Sequence, residues 1–237
     1  MVSGAMNGHP FYEFAFMGRE VRFFFEESQR EDAKTVLRGY FLREPYKELN
    51  VVGRDVLDIG ANVGDTSIYF ALRGARKVIA LEPYLHTFNQ ARFNISYNGF
   101  EDRILLLNEG AGRTGWLLLD QNLQSTRSTP AVVAPGGTKV RFNSLKELVD
   151  RFSLQDAVLK INCEGCEQEL LLDSDKLTLR SFVQIGLEYH GDYSRISKRL
   201  DSAGFKVRLI ERNYANSKNS NGGRAEYGLV HARRALS

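Results

Sequence analysis

The run Val56-Leu57-Asp58-Ile59-Gly60-Ala61-Asn62-Val63-Gly64-Asp65-Thr66 decides the fold, and Val78-Ile79-Ala80-Leu81-Glu82-Pro83 follows it in the chain. In the first run, an apolar strand breaks into a glycine turn that opens a helix. In the second run, another apolar strand ends on a carboxylate. A strand, a glycine turn, a helix and an acidic strand end, in this order, build a nucleoside pocket in a doubly wound α/β sheet. The two runs therefore predict such a pocket.

The spacing of the glycines distinguishes between nucleoside cofactors. A dinucleotide-binding loop has the pattern Gly-x-Gly-x-x-Gly, which lets the backbone approach a pyrophosphate, but Gly60 and Gly64 are four positions apart. Asp65 begins the following helix, where its carboxylate would repel a pyrophosphate. An adenosine cofactor with a cationic tail fits this loop better. The loop therefore predicts S-adenosylmethionine, with Glu82 accepting hydrogen bonds from both ribose hydroxyls.

Further residues of these turns complete the predicted cofactor site. Asp58 adds a second negative charge at the end of the first strand, and Tyr84, which follows the ribose-binding carboxylate, is predicted to contact the adenine. The predicted cofactor-binding residues are Asp58, Gly60, Ala61, Asn62, Gly64, Asp65, Thr66, Glu82, Pro83, Tyr84, Glu109 and Gly110.

Length and composition set broad limits on the kind of protein. The chain has 237 residues, a formal net charge of +3 and a pI near 8.8. One self-sufficient domain is expected at this length, and the mild basicity neither requires nor excludes a polyanionic partner. No apolar stretch has the length of a bilayer-spanning helix, and the first residues lack the pattern of a secretory signal. We expect a soluble, cytoplasmic protein with no membrane partner, as a monomer or homodimer.

The two cysteines, Cys163 and Cys166, form a Cys-x-x-Cys pair. Such a pair is found in redox sites and in halves of zinc sites, but no second pair or histidine cluster is present to complete a tetrahedral site. We therefore predict two separate, half-buried thiols beside a turn in a reducing compartment, and no metal site.

The order of the elements predicts a parallel sheet. Residues 1–48 form an N-terminal extension: the first ten residues are expected to fray, Phe11–Phe16 and Val21–Phe25 to form a β-hairpin, and a helix to follow. Strands and helices then alternate through the main domain, residues 49–237, as in a doubly wound α/β sheet. Residues 114–141 are predicted to be a β-rich insertion with a mobile Ser/Thr loop. Two strands flanking a polar loop at 213–224 are predicted to form an antiparallel pair at the C-terminal edge.

Several stretches together carry a family resemblance. They are Asp-Ile-Gly-Ala-Asn-Val-Gly-Asp-Thr (58–66), Leu-Glu-Pro (81–83), Asn94 and Asn98, Leu-Lys-Ile-Asn-Cys-Glu-Gly-Cys-Glu (159–167), and Leu-Glu-Tyr-His-Gly (187–191). In this order they resemble the FkbM-like methyltransferases, over roughly residues 50–210. The resemblance implies a Rossmann-like class I methyltransferase fold with a mostly parallel seven-stranded sheet. It also implies methyl transfer from S-adenosylmethionine, commonly to a hydroxyl of a sugar or another small molecule.

One residue departs from the family pattern, because Asn162 stands where the family usually carries Asp. An amide cannot take a proton from a hydroxyl nucleophile, so Glu164 or His190 would have to act as the base. Lys160 is either part of the catalytic group or a structural cation that balances Glu164 or Glu188. The predicted catalytic residues are Lys160, Asn162, Glu164 and His190.

Three other functions are considered beside small-molecule O-methylation. The C-terminal arginines at 212, 224, 233 and 234 would allow an RNA or protein methyltransferase, although the Asn-Cys-Glu-Gly turn is unlike motifs that hold a planar base amine. Asn162 would also allow a non-catalytic module that binds an adenosine cofactor. A nicotinamide oxidoreductase is disfavoured by Asp65 and by the glycine spacing.

Overall fold

The computed structural model describes residues 1–121, 136–218 and 224–235. The chain begins with a three-stranded antiparallel sheet of β1 (Val2–Met6), β2 (His9–Phe16) and β3 (Arg19–Phe24), followed by helix α1 (Arg30–Phe41). The predicted hairpin corresponds to β2 and β3. The expectation that the first ten residues fray is wrong, because β1 pairs along β2 from Val2 opposite Glu13 to Met6 opposite His9.

The main domain contains a seven-stranded sheet. Its elements up to the insertion are β4 (Asp55–Ile59), α2 (Asp65–Leu72), β5 (Lys77–Leu81), α3 (Leu85–Tyr97) and β6 (Ile104–Leu107). After the insertion come α4 (Leu145–Phe152), β10 (Ala157–Ile161), α5 (Cys166–Asp173), α6 (Lys176–Arg180), β11 (Phe182–His190), α7 (Tyr193–Ser202), β12 (Phe205–Lys218) and β13 (Arg224–Arg234).

The strand order is β12-β13-β11-β10-β4-β5-β6, and β11, β10, β4, β5 and β6 are parallel. This arrangement confirms the predicted fold class. The antiparallel pair β12–β13 lies at one edge, with β13 next to β11 and β12 outermost. The strands extend into the region predicted as a polar loop, since β12 ends at Lys218 and β13 begins at Arg224. No helix in the described ranges is both long and apolar enough to span a membrane.

The insertion forms a small sheet of its own. Strand β9 (Thr138–Asn143) lies between β7 (Gly110–Ala111) and β8 (Gly115–Leu119), in the order β7-β9-β8. The predicted mobile Ser/Thr loop around residues 124–129 lies outside the described residues.

Two asparagines, Asn94 of α3 and Asn98 directly after this helix, attach the N-terminal sheet to the main domain. Asn94 Oδ1 accepts the backbone N–H of Phe24 at 2.9 Å, and Asn98 Oδ1 accepts that of Arg22 at 3.0 Å. The amide group of Asn98 also donates to the Arg22 carbonyl at 2.7 Å. The two side chains thus form hydrogen bonds with the backbone groups of alternate residues along the edge of β3, as a neighbouring strand would. This explains the presence of both asparagines among the motif residues.

Candidate active site

The glycine loop after β4 is shaped by the strand beside it. Gly60 has a φ of +77°, and a Cβ at this position would lie 1.8 Å from the carbonyl oxygen of Asn162. Any larger residue would therefore displace the end of β10. The loop is held further by the N–H groups of Gly60 and Ala61, which both donate to the Leu81 carbonyl, and by the N–H of Gly64, which donates to the carbonyl of Ala61.

Glu82 lies at the end of β5 and is 6% exposed. One of its carboxylate oxygens accepts the N–H of Asn62 at 3.1 Å, and the other accepts the N–H of Tyr84 at 3.0 Å. Burial raises the pKa of Glu82 to about 7 despite these two hydrogen bonds. Each carboxylate oxygen keeps a further lone pair for a ligand hydroxyl.

Asp58 and Lys160 form a buried ion pair beneath the loop. Asp58 is fully buried and Lys160 is 1% exposed, and Asp58 Oδ1 lies 2.8 Å from Lys160 Nζ. The hydroxyls of Thr66 and Ser67 donate to the other oxygen of Asp58, at 2.7 and 2.6 Å. Lys160 Nζ also donates to the carbonyl of Gly60 at 2.6 Å. The carboxylate that Lys160 contacts is thus Asp58, rather than Glu164 or Glu188, the two partners expected from the sequence.

Asp65 is the first residue of α2 and is buried, with 1% exposure. Its carboxylate accepts the N–H of Thr66 at 2.6 Å and the side-chain amide of Asn62 at 3.1 Å. Burial raises the pKa of Asp65 to about 7, and the nearby charge of Asp58 adds to this increase. A buried carboxylate with such a pKa fits a cationic ligand, because a positive charge nearby would stabilise its ionised form.

The other predicted cofactor residues flank this group. The carbonyl of Pro83 accepts the side-chain amide of Asn108 at 3.1 Å, while Tyr84 is 8% exposed and directly precedes α3. Glu109 contacts Arg151 at 2.8 Å and accepts a hydrogen bond from Asn143 at 2.7 Å. A Cβ on Gly110 would lie 2.4 Å from the Phe142 ring, so this glycine allows β7 to pack against β9.

The turn after β10 forms the other side of the site. Cys163 and Cys166 are joined by a disulfide, with Cα atoms 5.5 Å apart, so the prediction of two separate thiols is wrong. The turn brings the two Cα atoms within the separation that a disulfide requires. Glu164 lies inside the closed ring and has a φ of +58°, a conformation that non-glycine residues rarely adopt.

Glu167 organises this turn from within and is fully buried. Its carboxylate accepts the N–H groups of Cys163 at 3.2 Å and Gly165 at 2.9 Å. It also lies 3.3 Å from Nδ1 of His190 at the end of β11. Glu167 is thus a site residue that we did not predict, although it belongs to the motif at 159–167.

His190 lies between two carboxylates. Its Nε2 is 3.0 Å from Glu164 Oε2, and its Nδ1 is 3.3 Å from Glu167 Oε1. Burial by itself would lower the pKa of His190. The hydrogen bond and charge of Glu167, together with the charges of Glu164 and Glu188, outweigh it and raise the pKa above 6.5. The structure therefore brings together two of the predicted catalytic residues, Glu164 and His190.

Asn162 contacts a helix of the N-terminal extension. Its amide nitrogen donates to the Tyr40 hydroxyl of α1 at 3.2 Å. Its carbonyl oxygen Oδ1 is buried and has no hydrogen-bond partner among the described residues. Tyr40 was not predicted, and only its place near the end of an amphipathic helix could have suggested that it reaches the sheet.

Several solved structures are similar to the structure of this chain. M. jannaschii TYW2, in complex with AdoMet, has 13% identity and a TM-score of 0.45, covering 95% of this chain and 87% of that chain. M. capricolum TrmK, in complex with S-adenosyl-homocysteine, has 12% identity and a TM-score of 0.49, covering 81% and 67%. A precorrin-6y C5,15-methyltransferase from Geobacter metallireducens has 14% identity and a TM-score of 0.43, covering 86% and 89%.

The sequence also matches the model of a protein family, and this match shows the family of the chain. Residues 58–207 match the methyltransferase FkbM domain, which is more than half of the 237 residues. The match confirms the resemblance noted in the sequence, the methyltransferase class and the use of S-adenosylmethionine that belongs to it. The chain belongs to the FkbM methyltransferase family.

Proposed function

We propose that this protein transfers a methyl group from S-adenosylmethionine to a hydroxyl of a small molecule, with His190 as the base. The observation that carries the proposal is the position of His190 between Glu164 and Glu167, 3.0 and 3.3 Å away. A histidine whose ring is oriented by a carboxylate is a common arrangement for removing a proton from a hydroxyl.

The residues of the glycine loop fit the cofactor. Glu82 would accept hydrogen bonds from the ribose hydroxyls, since its two oxygens each bond only one backbone N–H. Asp65 would face the cationic amino-acid end, which is consistent with the effect of burial on its carboxylate. When bound, S-adenosylmethionine supplies a methyl group that its sulfonium already activates toward a nucleophile.

The protein has to orient the acceptor hydroxyl and remove its proton. In the proposed arrangement, Nδ1 of His190 donates to Glu167, and Nε2 accepts the proton of the acceptor hydroxyl. Glu164 lies 3.0 Å from Nε2 in this structure, so its carboxylate would have to move aside for the hydroxyl and would then stabilise the imidazolium. Asn162 cannot take a proton, so its departure from the family's usual Asp leaves the base role with His190.

Methyl transfer with and without His190 tests this proposal. Labelled S-adenosylmethionine would be incubated with a panel of monosaccharides and other polyols, and transfer of label measured. We expect His190→Ala to reduce turnover about 10²- to 10⁴-fold while the affinity for S-adenosylhomocysteine stays unchanged. His86→Ala is the matched control, because His86 lies on α3 and pairs with Glu26. Wild-type turnover in His190→Ala would refute the role of His190.

A further inference from the structure

A row of residues crosses the carboxyl ends of neighbouring strands beside the proposed base. In the parallel register, Ile161 of β10 lies between Ile59 of β4 and Leu187 of β11. The next residue after Ile161 is Asn162, whose N–H still donates to the carbonyl of Ile59 at 3.0 Å, and the next residue after Leu187 is Glu188. Asn162 and Glu188 therefore follow one another in this row, on one face of the sheet beside the glycine loop.

Tyr40 and Asn162 form one part of this row. The Tyr40 oxygen already accepts the amide of Asn162, so the tyrosine hydroxyl retains its own proton for donation and one lone pair. Asn162 Oδ1 is buried without a partner among the described residues. A buried acceptor that is left unpaired is unfavourable, and a hydrogen-bond donor on a ligand would satisfy it.

Glu188 is the carboxylate of the row. It is half-buried, and its backbone lies in β11 opposite Leu229 of β13. Its carboxylate forms no hydrogen bond or ion pair with a side chain in the described ranges. Its charge contributes to the raised pKa values of Tyr40 and Tyr46, after the larger effect of burial on both hydroxyls. Glu188 therefore lies close enough to Tyr40 for its charge to act on the tyrosine hydroxyl.

Glu188 lies near other carboxylates. The charges that act on it include those of Lys160, Glu164, His190 and Glu167, and Lys160 lies 2.8 Å from Asp58. An anionic group on the acceptor would be repelled here by the carboxylates of Glu164, Glu167 and Glu188.

We propose that Tyr40, Asn162 and Glu188 bind a protonated amine on the methyl acceptor, next to the hydroxyl that is methylated. The proposal rests on the methyltransferase function proposed above and specifies its substrate class as a hydroxylated amine. An ammonium group has three donors, which the Asn162 oxygen, the Glu188 carboxylate and the Tyr40 oxygen would accept. Acceptors that carry a phosphate or carboxylate at this position are disfavoured.

Matched acceptors test the charge preference. 6-Amino-6-deoxyglucose, glucose and glucuronic acid carry an ammonium, a neutral hydroxyl or a carboxylate at the same carbon, and equivalent sets would be made on other polyol frameworks. Binding to the complex with S-adenosylhomocysteine and methyl transfer would both be measured. We expect the ammonium member to rank first and the carboxylate member last. The proposal is overturned if a carboxylate member ranks first, or if no ammonium member binds.

Two variants assign the preference to this row. We expect Glu188→Gln to weaken binding of the ammonium member about tenfold or more, with little change for the neutral member. We expect Asn162→Asp to strengthen binding of the ammonium member. Glu169→Gln is the control, because Glu169 is more exposed and pairs with Arg113. An unchanged ranking in Glu188→Gln would overturn the proposal. If all variants bind S-adenosylhomocysteine but no polyol is methylated, O-methylation itself fails, whereas a reversed ranking rejects only the amine site.

Discussion

Lys160 Nζ lies 2.8 Å from Asp58 Oδ1, and the two side chains are 1% and 0% exposed. This pair joins β10 to β4 directly beneath the glycine loop. Breaking a buried pair strands a charge in the interior, so we expect Lys160→Met to lower the free energy of unfolding by about 3–5 kcal/mol. Urea denaturation measures the change. Combining Lys160→Met with Asp58→Asn should restore part of the loss, and a double variant no more stable than Lys160→Met would contradict this account.

We expect the buried carboxylate of Glu82 to lower the stability of the ligand-free protein when it is ionised. Its pKa is about 7 in the folded protein against an ordinary value of 4.5, so folding takes up a proton between these pH values. The stability of the ligand-free protein should therefore fall as pH rises through this window, by up to about 3 kcal/mol. Glu82→Gln removes this pH dependence, although its NH2 group then faces one of the two backbone N–H groups, which costs about 1–3 kcal/mol at every pH. In thermal unfolding, the stability of wild type relative to the variant should fall between pH 4.5 and about 7. A variant whose stability falls with pH as steeply as that of wild type would argue against the burial effect.

As the proposed base, His190 should give the methyl-transfer rate a pH dependence. Because its pKa is raised above 6.5, the imidazole is protonated at lower pH, and the rate should rise with pH through that higher pKa. The charge interactions of His190 stabilise the fold below 6.5, and this contribution is lost as pH rises through the folded-state pKa. Glu164→Gln removes one neighbouring charge, so we expect the midpoint of the rate profile to move to lower pH. A midpoint that stays in place would exclude Glu164 as a partner of His190.

We expect loss of the disulfide between Cys163 and Cys166 to affect methyl transfer more than cofactor binding. It closes the turn that holds Glu164 beside His190. Replacing both cysteines with serine should lower stability by about 2 kcal/mol, since the closed ring is short. We also expect kcat to fall while the affinity for S-adenosylhomocysteine is retained. Equal losses in kcat and cofactor affinity would show that the turn supports both sides.

Asn94 and Asn98 should differ in their effects, although both bind the edge of β3. Asn94 also donates to the carbonyl of Val63 in the glycine loop at 3.0 Å, which Asn98 does not. Each Asn→Leu substitution leaves backbone groups of β3 unpaired and should lower stability by about 1–3 kcal/mol. Only Asn94→Leu should also weaken cofactor binding, as measured by calorimetry. The same affinity in both variants would exclude a connection through Val63.

The features that local sequence could predict are those set by neighbouring residues. Gly60, Gly64 and the apolar strands around them specify the strand, turn and helix, and the second acidic strand end places Glu82 beside them. The disulfide was missed because a Cys-x-x-Cys pair is compatible with free thiols, and only the folded turn brings the two Cα atoms close enough to bond.

Other features depend on contacts between distant segments. The Asp58–Lys160 pair follows from the parallel register of β4 and β10, in which these two residues are partners. Tyr40 reaches Asn162 only because α1 packs over the sheet. Strand β1 was missed because its residues are mostly exposed and lack an apolar alternation, while its hydrogen bonds with β2 hold it in place.

Titration calorimetry of S-adenosylhomocysteine into the wild-type protein and Glu82→Ala tests the central claim most directly. The account predicts binding to wild type and a loss of at least about 1–2 kcal/mol in the variant, because charge-assisted hydrogen bonds to the ribose are removed. Binding of NAD in place of S-adenosylhomocysteine, or equal affinities in the two proteins, would contradict the assignment of this loop as the cofactor site.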